Sequence, residues 1–139
     1  MHKIGNPLLY YAAAATTAIA GILHLIVVSP LYNPYVLGTN IPGETFFIVA
    51  GIAQIFWALP MVKRWGKIWY YIGIAGTAIL IILWALTRVP NPITGGRAFP
   101  IDEIGVATIV FQIAYIMITV IIIAKERSGS VQMIRGNRL

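Results

Sequence analysis

LLYYAAAATTAIAGILHLIVV, residues 8–28, is the stretch that decides how this chain folds. It carries no charged side chain. As a helix rising 1.5 Å per residue it reaches about 30 Å, the thickness of a bilayer's hydrocarbon core. A secretory signal peptide has an apolar core of only about 7–15 residues and ends in a small-x-small cleavage site. This run is longer and closes on Val27-Val28-Ser29-Pro30, so it reads as a retained transmembrane helix.

Working outward, three further stretches qualify: residues 45–62, 68–86 and 104–124. Composition agrees. The chain is 59% hydrophobic and 10% charged, whereas a soluble domain carries about 25% charged residues. Too few charges are present to clothe a water-facing surface. The expectation is an all-α integral membrane protein, a four-helix transmembrane bundle forming one domain over 1–139. Residues 29–44 and 87–103 are long connections rich in Pro and Gly. Residues 125–139 form a polar, basic tail whose last residues are expected to be mobile. No internal repeat with a useful period is present, so an inverted-repeat transporter is not supported.

Lys and Arg fix the expected orientation. Lys3, Lys63, Arg64, Lys67, Lys125, Arg127, Arg135 and Arg138 collect on one side, and only Arg88 and Arg97 on the other. The positive-inside rule then places both termini and the 63–67 turn in the cytoplasm of a cell-membrane protein. Tyr10, Tyr11, Trp57, Trp65, Trp69, Tyr70, Tyr71 and Trp84 lie mostly near span ends, the depth that amphipathic rings favour. The net charge of +6 therefore reports topology, and a nucleic-acid partner is not expected. The absence of cysteine removes disulfides, thiolate metal sites and a Cys nucleophile.

Helix association in lipid depends on close packing of small residues and on interhelical hydrogen bonds. Ala14, Ala18 and Gly21 share a face of the first helix. The second carries Ala50, Gly51 and Ala53, and the third Gly73, Ala75, Gly76 and Ala78. The fourth is rich in Ile and Val; it is expected to be the most lipid-exposed, or else to pack on a partner protein. Gln54 and Gln112 fall at similar depth near the midplane, which allows one amide to satisfy the other. A ligand or proton site is the sharper alternative for this intramembrane pair, although a neutral amide cannot relay charge as a carboxylate can.

The remaining ionisable groups gather at the outer end: His24, Glu44, Arg88, Asp102 and Glu103. Acids at helix N-termini are favoured by the helix dipole, and Arg88 can pair with one of them. A polar pocket for a cation, a small ligand or a partner loop is the functional alternative. A metal site is not expected, because only one histidine is in reach and Arg88 opposes a cation. No phosphate loop, nucleophile elbow or HExxH motif occurs. No catalytic residue and no cofactor are expected.

Four short motifs carry a resemblance. They are Gly21-x-x-His24-Leu25, Gln54-x-x-Trp57-Ala58, Trp84-x-x-x-Arg88-x-Pro90 and Glu103-x-Gly105. The chain resembles an uncharacterised family of small four-helix membrane proteins of archaea and actinobacteria. Members of that family often carry an acid near the positions of Thr108 and Gln112, and this chain departs from them there. In topology it is also similar to DoxX/DoxD-type proteins, which are linked to quinone-coupled redox systems. Its Ile-rich, Cys-free, basic style resembles the small helical proteins that accompany the copper-dependent ammonia monooxygenase of archaea. The absence of intramembrane ionisable groups, the small-residue faces and the outer connections rich in Pro, Gly and Tyr lead to the expectation of an accessory, non-catalytic subunit among other integral membrane subunits, and the last resemblance implies ammonia monooxygenase as one such complex. A DoxX-like protein with a ligand pocket at the outer face is the alternative, and a small channel or transporter a further one.

Overall fold

The computed structural model describes residues 6–32, 41–92, 96, 98 and 101–138. His2, Lys3, Arg97 and residues 33–40 of the 29–44 connection lie outside the described residues. Five helices follow in order: α1 Pro7–Val27, α2 Ile41–Phe56, α3 Ala58–Val62, α4 Lys67–Leu86 and α5 Glu103–Asn137. Among the described residues no strand occurs. Four helical segments are long and apolar enough to cross a membrane: Pro7–Val27, Gly43–Val62, Lys67–Leu86 and Glu103–Asn137.

Local chemistry sets the helix ends. Asn6 caps α1, its Oδ1 accepting from the Leu8 amide at 3.0 Å, and Pro7 occupies the first turn, where a missing N–H costs nothing. Pro30 disfavours a further helical residue before it, and α1 has already stopped at Val27. Asp102 caps α5 by accepting from the Gly105 amide at 2.7 Å. At the end of α4, Asn91 Nδ2 donates to the carbonyls of Leu86 and Val89, at 2.6 and 2.9 Å.

The second span is not one straight helix. It breaks at Trp57, between α2 and α3. Pro60 explains the position: it has no N–H to give, and its ring crowds the carbonyl four residues earlier, that of Phe56. The turn after α3 is closed by a Trp65 amide bond to the Pro60 carbonyl at 3.1 Å, with Arg64 left-handed at φ 52°. Glycine is the usual residue in that position of a helix C-terminus. Gly66, at φ 116°, then turns the chain into α4.

The helices pack in the order α2, α1, α5, α4. α1 is the hub and touches α2, α3 and α5, whereas α4 leans on α5 and meets α3 at the turn. Among the described residues α2 and α4 have no Cα atoms within 8 Å of each other. The contact between α1 and α2 runs through Gly21 and Gly51. A Cβ added to Gly21 would lie 2.5 Å from the Gly51 carbonyl oxygen, and one added to Gly51 would lie 2.8 Å from that of Gly21. Gly73 of α4 is covered by the Tyr115 hydroxyl and the Trp57 ring.

One expectation is corrected. The Ile/Val-rich fourth span is not the most exposed; α5 forms the main interface with the hub and buries Thr108, Gln112, Tyr115, Thr119 and Ile122. The least embedded span is α4, which buries only Tyr70, Gly73 and Thr77. The polar tail, in turn, is helical: α5 continues without a break to Asn137. After Ala124 every residue but Gly129 and Gly136 can propagate a helix at modest cost, and no proline intervenes.

Candidate functional site

The interior of this bundle holds polar side chains among its apolar ones. α1 buries Tyr10, Thr17 and His24, one every seven residues; α5 buries Thr108, Gln112, Tyr115 and Thr119 at alternating steps of four and three. Steps of three and four keep side chains on one helix face. Large apolar side chains such as Ile22, Val49, Ile72 and Val110 point outward instead, as lipid permits.

In the half nearer the α1–α2 connection, His24 is buried and its Nδ1 lies 3.0 Å from the Ala20 carbonyl. A carbonyl only accepts, so Nδ1 carries the proton and Nε2 keeps a free lone pair in the neutral ring. The Phe47 ring lies 5.6 Å from the imidazole, centroid to centroid. Gln54 stands beside His24, and its backbone carbonyl accepts from Thr17 Oγ1 at 3.0 Å. Neither amide atom of Gln54 nor of Gln112 makes a hydrogen bond, although both residues are buried. The Gln54–Gln112 bond that equal depth allows is therefore not formed.

The outer residues sort by element. Asp102 is the α5 cap, Glu103 follows it in the first turn, and Glu44 sits in the first turn of α2. Arg88 Cζ lies 4.7 Å above the Trp84 ring. A Cβ on Gly105 would fall 2.5 Å from Asp102 Oδ1 and 3.0 Å from Trp84 Nε1. The Trp84 indole thus reaches Gly105 beside the Asp102 cap, with Arg88 stacked on that indole, and the glycine is what lets α4 come so close to the cap of α5. Among the described residues no three His, Cys, Asp or Glu side chains are placed to hold a metal ion.

At the opposite end, where α1 begins, the structure reveals a cluster that hydropathy does not mark. The Tyr10 hydroxyl donates to Glu126 Oε1 at 2.5 Å. Arg64 Cζ sits 4.1 Å over the Tyr10 ring, and Tyr70 packs against Tyr10 with centroids 6.4 Å apart. One clasp therefore joins α1, the α3–α4 turn, α4 and α5. The signal for it is a spacing: Glu126 falls seven residues after Thr119 and fourteen after Gln112, on the buried stripe of α5.

Between α2 and α4 lies a cavity of about 580 Å³, floored by Thr17 of α1. Ala50, Ala53 and Trp57 form one wall, and Gly73, Gly76 and Leu80 the other. No protein-family model matches this chain, and no curated protein or solved structure matches it either.

Proposed function

We propose that the chain is a non-catalytic accessory subunit of a larger membrane complex, with both termini in the cytoplasm. The observation that carries this reading is the far part of α5. With 35 residues it is about 52 Å long, roughly 20 Å more than a hydrocarbon core needs. The excess follows Lys125. Val131, Met133 and Ile134 are exposed there, and Arg127, Val131, Ile134 and Arg138 share one stripe at helical spacing. A single helix of about a dozen residues is marginal in water, so a surface that covers this stripe stabilises it. An acidic partner surface with an apolar seam has the matching chemistry. The orientation rests on the basic residues Lys63, Arg64, Lys67, Lys125, Arg127, Arg135 and Arg138.

The test is native purification in mild detergent, with mass spectrometry of what migrates with the chain. Co-migration with a larger enzyme in fixed ratio supports the reading, and the identity of that enzyme decides whether an ammonia monooxygenase is the complex. Truncation after Arg127 should release the partner while leaving the thermal midpoint of the bundle unchanged. Migration alone, or only as a homo-oligomer, would refute the subunit role. A second reading, a DoxX-like protein that binds a ligand at the outer face, draws on the approach of Trp84, with Arg88 stacked on it, to the Asp102 cap. It requires that His24→Ala or Arg88→Ala abolish function without disturbing assembly.

A further inference from the structure

The cavity between α2 and α4 has a polarity along its length. Its walls are apolar apart from Thr17, Thr45, Gln54 and Thr77, and it opens sideways past the exposed side chains of Val49 and Ile72. A Cβ added to Gly76 would meet nothing within 4 Å, so the groove is left open by the chain's own side chains. Its volume is that of a pocket for one small molecule.

The end of the groove nearer the start of α1 is a different environment. Trp57, which lines it there, donates its indole N–H to the Trp69 carbonyl at 3.0 Å. The ring of Trp69 lies 4.9 Å from that of Trp65, and Phe56 lies 6.4 Å from Trp65. Trp65 is 40% exposed. Lys63 and Lys67 are exposed on the same tight turn. No acidic residue occurs between Glu44 and Asp102, so the α2–α4 hairpin itself supplies no counter-charge at this end. An apolar slot thus leads into an aromatic belt and then to two lysines.

We infer that this groove binds an anionic phospholipid. One acyl chain lies between α2 and α4, the glycerol backbone rests at the indoles of Trp65 and Trp69, and the phosphate meets Lys63 and Lys67. Amphipathic rings settle at headgroup depth, and basic groups beside a membrane draw anionic lipid. Charge complementarity selects a lipid over a transmembrane helix as the occupant, because a helix would bring no negative charge to that end by necessity. The site is independent of the α5 stripe, so either inference can fail without the other.

The test uses the full-length protein in mixed micelles of equimolar phosphatidylglycerol and phosphatidylcholine, read by native mass spectrometry. The expected result is a retained lipid with phosphatidylglycerol strongly preferred. In the double variant Lys63→Gln/Lys67→Gln the preference should fall roughly thirtyfold. In Gly76→Leu, whose side chain enters open space, retention of both lipids should be lost while the thermal midpoint is kept. Equal retention of the two lipids by the unaltered protein would overturn the charge argument. Unchanged retention in Gly76→Leu would overturn the groove. Zero-length crosslinking of Ala53→Cys or Gly76→Cys to a cysteine of another polypeptide would assign the groove to a protein helix instead.

Discussion

The bond from Tyr10 to Glu126 joins residues 116 positions apart in the chain. A phenol donating to a carboxylate forms a charge-assisted hydrogen bond, and its 2.5 Å length lies in the range for that pairing. Glu126 is half-exposed, so water competes for the carboxylate and the lower part of the usual range applies. A double-mutant cycle with Tyr10→Phe and Glu126→Ala should give a coupling of about 1–2 kcal/mol, measured by reversible unfolding in mixed detergent. A coupling near zero would mean that ring packing against Tyr70 and Arg64 alone holds this end. The carboxylate is hard to find in the sequence because the apolar run ends at Ala124 and a hydropathy window stops there. The buried stripe of α5, by contrast, continues to it in register. Gln54 and Gln112 show the converse. Their depth along the helix axis follows from counting residues, but the direction in which each side chain leaves its helix does not, and the two amides do not bond.

At the scale of the element, the glycines divide by what stands opposite them. Gly21→Ala places a methyl group against a backbone carbonyl that cannot swing aside. Overpacking of this kind costs about 1–3 kcal/mol. Gly76→Ala meets open space and should be neutral or gain up to about 0.5–1 kcal/mol from helix propensity. Thermal midpoints of the two variants in one detergent check the contrast; a similar gain in both would show that helix propensity, and not the Gly21–Gly51 crossing, sets the sign. Small residues on α1, α2 and α4 are visible in the sequence, but which of them touch is not, since Gly51 and Gly76 look alike without a neighbour. The positions of the spans were legible because lipid demands long charge-free helices. The break at Trp57 is written in Pro60, whose effect is exerted on Phe56, four residues earlier.

At the scale of the molecule, the fold brings the start of α1 and the Glu126 turn of α5 to the same end of the bundle, as the Tyr10–Glu126 contact shows. The chain has no cysteine, so single introduced thiols report topology without background. Ser130→Cys should react with a membrane-impermeant maleimide only after the membrane is opened. Ala98→Cys should react in intact cells. Both residues are exposed, and the reverse pattern would invert the proposed orientation. The placement of Glu44, Asp102 and Glu103 in or beside a first helical turn was legible in the sequence. That the Trp84 indole reaches Gly105 beside the Asp102 cap depends on α4 leaning against α5, which no local pattern encodes.

The hub position of α1 has a consequence for how the protein is made. α1, the earliest of these helices in the sequence, finds its most extensive partner in α5, the latest of them. Until α5 is synthesised, Thr17 can bond to the Gln54 carbonyl on α2, but Tyr10 has no Glu126 to meet. The chain therefore completes its assembly only after translation of the final span. A ribosome stalled before Glu103 would leave α1 to α4 without the partner that supplies Glu126 to Tyr10.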